Sequence, residues 1–536
     1  MGAGGGMGQL RSVYFRPDVI VEPLVDRWYA WSHLVSPATA ARNITERHLK
    51  IMASYVEAPH LHAAAAQSPA MKGGPFMDYG RDRSAEVAAL IGETERTRAP
   101  SIALSHALAE LDRLLAAHAS GGPLAALYGA VPDALQGMVE LHYDRSNHPG
   151  FRLIEPLLYR AYGDGRAGQS LYLSIGTGIR PFMMSTPRLP APEETMLSLP
   201  FDHPGVDALF EMFHMPRPLE ELGEIAGLPA PVLRQMSGFV QEEAPSMPAA
   251  PVPGNGCRWR YFGHACVLVE TPGCTILLDP AIETPGAHAG DGFDYTHLPP
   301  RIDYVLLTHN HQDHVLLETL LRLRPRIGSI LVPRAGSGAL EDPSLRLALA
   351  SMGFPRVLEL DEFDSVDADG VTITAAPFLG EHGDLAIRCK ATWHLRIGER
   401  RLLFAADCKN LAPALFRRVR DAIGTVDTLF LGMECDGAPM SWIYGPLFAS
   451  PPLREHDNAR RLAGSDFDEA AGLVEIFAPD QVYVYAMGME PWLNYILATR
   501  YTPASTPIVA SQKLVDACRA RGLQAARLYG AHEVAL

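Results

Sequence analysis

Apolar positions follow two different rhythms along this chain. In the first part they recur at helical spacing. The stretch "SPATAARNITERHLKIMASYV" offers Ser36 as an N-cap and Pro37 at the first helical position, after which Ile44, Ile51, Met52 and Tyr55 share one face. "SIALSHALAELDRLLAAHAS" places Leu104, Leu108, Leu111 and Leu115 at i, i+4, i+7 and i+11, which predicts a second amphipathic helix. "SLYLSIGTG" alternates instead, with Leu171, Leu173 and Ile175 on one face of a strand. "LEELGEIAGLPAPVLRQM" reads as a helical hairpin, and with Arg234 as its only basic residue it is a structural element, not a DNA reader. "GTG" at Gly176 to Gly178 lacks the third glycine of a dinucleotide fingerprint and is not a nucleotide site, and His60 and His62, with no carboxylate nearby, read as loop or surface residues and not ligands.

The rhythm changes at Cys257. "WRYFGHACVLVET" and "CTILLDPAI" are apolar runs separated by Pro272 and Gly273, a hairpin signal. "RIDYVLLTH" predicts a buried strand followed by the helix "DHVLLETLLRLR". "VTITAAPFLG", "RRLLFAADC", "DTLFLGME" and "DQVYVYAMG" predict four more strands, most of them ending on polar or charged residues, where α/β folds gather functional groups. Between the two regimes, "QEEAPSMPAAPVPGNG" has no periodicity and reads as a linker. The expected organisation is a largely helical α+β domain over 1–240, a linker over 241–256 and an α/β domain over 257–536.

Composition changes this picture little. A chain of 536 residues exceeds one core, and 47 % hydrophobic with 20 % charged residues is ordinary for a globular protein. The net charge of -15 excludes a general nucleic-acid binder. No apolar run reaches the roughly 18–20 residues of a membrane span. The start, "MGAGGGMGQLRSVYF", has no signal-peptide pattern, and Gly6 spoils a myristoylation signal, so a flexible tail on a cytoplasmic protein is expected. All seven cysteines lie beyond residue 256 and form no C-x-x-C pair, which points to neither a zinc ribbon nor a disulfide framework.

The chemistry concentrates in "YVLLTHNHQDHVLLETLLRL". His309 and His311 stand two apart at a strand end and can share one metal ion, while Asp313 and His314, in the first turn of the next helix, can reach a second. H-x-H-x-D-H therefore supplies half of a two-metal site. Together with "GHACVLVETPGCTILLDP" before it and Asp407 in "LLFAADC" after it, this stretch resembles the metallo-β-lactamase fold, an αββα sandwich holding two metals at one edge. The resemblance covers Cys257 to Leu536 and implies that Asp407 is a bridging carboxylate. Zinc hydrolases of that superfamily carry a histidine in the third motif and another after the last core strand. Here the third motif is "FLGEHGDL", with Glu381 in the histidine's place, and "VYVYAMGMEPW" ends without one. His456 and His532, the only histidines after Asp407, sit in polar, loop-like settings. The implied set is His309, His311, Asp313, His314, Glu381 and Asp407, rich in hard oxygen ligands and suited to iron or manganese more than to zinc. A one-residue shift would put His382 in the ligand position and restore a more zinc-like set.

A glutamate in the third motif behind a long N-terminal domain resembles the family of the chloramphenicol-biosynthesis β-hydroxylase, the non-haem di-iron monooxygenases. "RPDVIVEPLVDRWYAWSHLVSPATA" and "ECDGAPMSWIYGPL" share the likeness. The resemblance implies a di-iron cluster in which His309, His311 and Glu381 hold one iron, Asp313 and His314 the other, and Asp407 lies between. Glu434 would be a ligand or base close by. It further implies O2 and an external electron donor, and a substrate amino acid tethered as a thioester to the aminoacyl-carrier (thiolation) domain of a nonribosomal peptide synthetase. A homodimer is also expected. Met440, Trp442 and Tyr444 are either walls of the substrate pocket or core. Arg322, Arg324 and Arg326, or Arg417, Arg418 and Arg420, are either carrier-docking patches or solvated helix faces. The alternative is a binuclear zinc or manganese hydrolase acting on a lactone, thioester or phosphodiester.

Overall fold

The computed structural model describes residues 11–536 apart from 69–70, 72, 119–120, 177–178, 192, 247–255, 286–291 and 337. The expected tail at 1–10, the end of "GTG" and most of the expected linker fall outside the described residues.

Two seven-stranded mixed sheets form the second half. The first runs in the order Val357–Leu360, Ile327–Pro333, Ile302–Leu306, Thr275–Leu278, Cys266–Glu270, Arg258–Gly263, His532–Ala535. The second runs Ser365–Ala368, Val371–Ala376, Thr392–Ile397, Arg400–Phe404, Thr428–Gly432, Gln481–Tyr485, Gln524–Arg527. Period-two alternation decides what each face meets. Val267, Val269, Ile276, Leu278 and Leu306 of the first sheet join Leu402, Phe404, Phe430, Tyr483 and Tyr485 of the second in one buried cluster between the sheets. Their neighbours Leu403, Leu429, Leu431, Val482 and Val484 turn outward onto helices Pro413–Ile423, Phe467–Phe477 and Thr506–Ala520. Both faces are covered, which is why these runs are apolar almost throughout.

The first sheet's outer face is covered differently. Cys266, Leu268, Leu277 and Val305 share a single core with Leu317, Leu320 and Leu321 of helix Leu317–Leu323 and with N-terminal residues Val19, Val21, Trp28, Leu171, Leu173 and Phe213. The N-terminal half is thus packed on the sandwich. It carries a four-stranded sheet, Trp28–Tyr29, Val19–Val25, Gln169–Ile175, Thr195–Leu197, among its helices.

A buried ionic network crosses the same boundary. Glu22, fully buried, accepts from Arg188 (2.7 Å twice) and from Arg180 (3.2 Å). Arg180 also reaches Glu318 Oε2 (2.9 Å), which accepts from Tyr29 OH (2.9 Å) as well. Glu318 belongs to the helix that follows the metal-motif loop.

Several expectations need correction. "WRYFGHACVLVET" is not one strand but two, folding back between Gly263 and Cys266 with His264 in a left-handed turn conformation (φ 50°). The helix expected to begin at Asp313 starts at Leu317. His311 O accepts from Val315 N (2.8 Å) to close one turn, and extended Leu316 (φ -82°, ψ 100°) then breaks it, so Asp313 and His314 lie in a turn before the helix. The helix from Pro37 passes through a π-helical turn at Ile44–His48, and Ser36 bonds Tyr159 OH (3.0 Å) in place of capping it. His62 is buried in helix Pro59–Gln67, where its Nδ1 accepts from Met77 N (3.1 Å). His532 begins the strand that pairs with Arg258–Gly263. Arg322 lies over the rings of Phe213 (3.7 Å) and Tyr295 (3.9 Å), and Arg324 is buried against Asp207 (2.7 Å), so neither is a docking cation.

Candidate metal centre

The loop after strand Ile302–Leu306 is anchored by a residue far upstream. Asp279, just past strand Thr275–Leu278, accepts from Thr308 N (2.8 Å) and Thr308 Oγ1 (2.6 Å). The same carboxylate meets His314 Nδ1 at 2.8 Å. With Nδ1 held this way, His314 directs Nε2 at the site, the carboxylate–histidine arrangement common behind metal ligands.

His309, His311, Asp313, His314, Glu381 and Asp407 all converge. His311 Nδ1 is 2.5 Å from Glu381 Oε1, and His309 Nε2 is 3.5 Å from Glu381 Oε2. His314 Nε2 stands 3.0 Å from Asp407 Oδ2, with His309 Nε2 3.8 Å from the same oxygen. Among the described residues, three groups have ligand atoms within 4.8 Å of one another: His309 with His311 and Glu381, His309 with His314 and Asp407, and His264 with Asp313 and His314. His309 Nε2, His314 Nε2, Glu381 Oε2 and Asp407 Oδ1 are buried and have no hydrogen-bond partner. Buried polar atoms are normally satisfied, so convergent orphans of this kind fit a pair of cations.

The backbone is shaped for the two later carboxylates. Glu381 itself adopts a left-handed conformation (φ 68°), as does Ala406 (φ 44°) immediately before Asp407. Side chains held there against their preference are a feature of functional sites. Gly432 makes room for Asp407, since a Cβ there would lie 2.5 Å from Asp407 Oδ1.

Electrostatics favours a neutral imidazole at His309, whereas at His314 burial is outweighed by Asp313, Asp279 and Asp407, which hold that ring well above the usual histidine range until a cation takes the proton's place. Burial, then His314, His311 and His382, hold His309 far below the usual histidine range, leaving Nε2 a free lone pair. Burial opposes ionisation of Asp313, but His314 and His264 outweigh it and keep the carboxyl below its ordinary value. Burial pushes Glu381 up, against the pull of His311.

His264 and Asp279 escaped the sequence reading, although both lie within "GHACVLVETPGCTILLDP". His264 Nδ1 accepts from Gly488 N (3.1 Å), so the neutral ring carries its proton on Nε2, which faces Asp313 Oδ2 at 3.1 Å. His264 is therefore a donor that orients Asp313, despite its place in a ligand-like triplet. His382 has a similar standing. Its Nδ1 is 3.2 Å from both Gly380 O and Glu381 Oε2, and none of the three ligand groups includes it.

A cavity of about 1150 Å³ opens beside the cluster and is lined by His311, Asp313, Glu381, Asp407 and Glu434. Trp28, Tyr29, Trp31 and Leu34 supply a wall from the N-terminal half. Of the three expected pocket residues, Trp442 lines it and is 41 % exposed. Met440 is buried against Gly383, and Tyr444 is buried with its hydroxyl 3.2 Å from His311 Nε2, leaving His311 Nδ1 toward Glu381. Glu434 faces the cavity and accepts from Tyr501 OH (3.4 Å). Burial, then Asp407, push its carboxyl up to about 8. Cations placed beside it would draw that value down again.

Comparison with known proteins follows this geometry. Residues 14–244 match the family described as diiron non-heme beta-hydroxylase N-terminal domain, and residues 275–439 match the beta-lactamase superfamily domain. The chain is 39 % identical over 522 residues to the 4-amino-L-phenylalanyl-[CmlP-peptidyl-carrier-protein] 3-hydroxylase of Streptomyces venezuelae, covering 96 % of this chain and 98 % of that protein. The crystal structure of CmlA, a diiron β-hydroxylase from Streptomyces venezuelae, superposes with a TM-score of 0.91 at 37 % identity, covering 98 % of this chain and all of that one. A metal-dependent hydrolase of Anaeromyxobacter is 30 % identical over 135 residues, only 25 % of this chain and 41 % of the hydrolase. A likeness that runs through both halves, where the hydrolase likeness stops within one, decides the matter: the chain belongs to the diiron non-heme β-hydroxylase family, built on a metallo-β-lactamase domain.

Proposed function

We propose that this enzyme hydroxylates the β-carbon of an amino acid held as a thioester on the carrier domain of a nonribosomal peptide synthetase. The observation that carries the reading is Glu381 seated against His311 and His309, where a zinc hydrolase of the superfamily has histidine. The named substrate of the Streptomyces venezuelae relative, bound to a peptidyl carrier protein, supports the tether. In this reading His309, His311 and Glu381 would hold one iron, Asp313 and His314 would hold the other, and Asp407 would serve as a further carboxylate ligand. When bound, the iron pair supplies the redox chemistry, with O2 and two electrons from an external donor as co-reactants.

The chain's own residues supply position and protons. Asp279 holds His314 and His264 holds Asp313, so the ligands need little reorganisation. Trp28, Trp31 and Leu34 present an apolar wall that keeps water from the substrate carbon. Glu434 accepts from Tyr501 OH at the cavity surface and is placed to take up or release a proton there. A homodimer and a cytoplasmic location, beside the synthetase, belong to the same reading.

Metal content and the optical spectrum of protein from iron-supplemented cells test it. The expected result is two irons per chain and an absorption that bleaches on reduction. Two zincs, no colour and cleavage of a simple ester would make the site a hydrolase. His264→Phe is expected to weaken binding of the ion beside Asp313 by about 10–100-fold. Equilibrium dialysis against Fe(II) reads that loss, and unchanged affinity would show that the Nε2–Asp313 contact does not orient the ligand.

A further inference from the structure

The sequence offered two arginine clusters for guiding a tethered substrate, and the structure uses part of one elsewhere. The cation that does face the cavity is Arg47, on the π-helical turn Ile44–His48. Such a turn holds an extra residue and shifts the side-chain register, and π-turns recur at functional sites. Here Arg47 Nη2 donates to the carbonyl oxygens of Trp442 and Ile443, the latter at 3.5 Å. Among the described residues its Nε and Nη1 find no hydrogen-bond partner, and no carboxylate pairs with it. Other cations lining the cavity differ: Lys50 is paired with Glu46 (2.6 Å) and Arg461 with Asp436 (3.6 Å). Burial without a counter-charge lowers Arg47 to about 10. A half-buried cation without a carboxylate partner is stabilised by pairing with an anion.

The surroundings suit the end of a long substrate. The partly exposed indole of Trp442 rests over Gly73, where a Cβ would come within 2.9 Å of the ring and 3.2 Å of Ala498 Cβ. Arg500, two residues beyond Ala498, is exposed, lines the same cavity and has no carboxylate partner among the described residues. From Trp442, two residues of chain, at most about 7 Å, lead to Tyr444, whose hydroxyl touches His311. This part of the wall thus brings together a guanidinium without a carboxylate partner among the described residues, an aromatic face and a contact to a candidate metal ligand.

We propose that Arg47 forms an anion subsite in this cavity and takes the phosphodiester of the phosphopantetheine arm that tethers the amino acid. This rests on the carrier-bound substrate proposed above. A guanidinium presents a planar fork to phosphate oxygens and can pair with two of them at once. The test compares the iron-loaded enzyme with Arg47→Gln and Arg47→Lys on two substrates: the aminoacyl carrier, and the same amino acid as a pantetheine thioester lacking phosphate. Arg47→Gln is expected to lower the ratio of kcat/KM for the carrier substrate to that for the phosphate-free one roughly tenfold or more, chiefly through KM, with partial recovery in Arg47→Lys. An equal loss on both substrates would assign Arg47 to holding the Trp442 carbonyl and overturn the proposal, as would no loss on either. A wild-type enzyme that hydroxylates the phosphate-free thioester while ignoring the carrier overturns the carrier reading itself, and this proposal with it.

Discussion

Glu381→Gln is expected to lower hydroxylation by at least about a hundredfold and to reduce the iron held per chain. The exchange is nearly isosteric, so packing is not the cause. Glu381 lies 2.5 Å from His311 Nδ1 and 3.5 Å from His309 Nε2, and its Oε2 is one of the buried orphan atoms. An amide in that place removes the negative charge and turns one ligand oxygen into a donor, which no cation accepts. Loss of an outer partner of a metal ligand costs about 10–100-fold, and loss of the ligand itself must cost more. Elemental analysis and turnover, measured beside His382→Ala, check this. His382 backs Glu381 at 3.2 Å and should matter less. If His382→Ala is the more damaging exchange, the ligand assignment is reversed and the case for an oxygen-rich iron site fails with it.

Arg180→Ala is expected to destabilise the fold by about 3–5 kcal/mol, the usual cost of removing one partner from a buried ionic network. Arg188 still covers Glu22 in that variant, but among the described residues Glu318 keeps only the Tyr29 hydroxyl as a side-chain hydrogen-bond donor. The lost cation also stacks on Tyr495, 3.4 Å from the ring centroid. Its charge is firmly held, because Glu318, Tyr495 and Glu22 together outweigh the burial that would otherwise discharge it. A urea-unfolding midpoint, read with its slope, measures the effect. A change below about 1 kcal/mol, typical of surface pairs, would mean that the halves are joined by their apolar core alone.

The hexapeptide was legible because its ligands are contiguous. Chain neighbours at a strand end must share a neighbourhood, whatever the rest of the fold does. Strand faces were legible for the same reason, since alternation at Val267, Leu268 and Val269 dictates opposite sides. His264 and Asp279 were not legible. Their roles come from Asp313 and His314, 49 and 35 residues away, through contacts no local pattern encodes. Met440 and Tyr444 show a related limit. Alternate positions in "GAPMSWIYGP" imply a shared side, but residues 441–444 are helical, which buries Tyr444 and leaves Trp442 exposed. Arg322 and Arg324 read as surface charge because their partners, Phe213 and Tyr295 for the first and Asp207 for the second, are distant in sequence. The apparent linker likewise concealed a shared core, since composition marks a break in the chain and not in the packing.

Mass spectrometry of a loaded carrier domain after reaction under isotopically labelled O2 tests the central claim most directly. The aminoacyl group is expected to stay on the carrier and to gain one labelled oxygen atom, placed on the β-carbon by fragmentation. An unlabelled carrier stripped of its amino acid, with oxygen from water in the released acid, would contradict it and make the enzyme a thioester hydrolase.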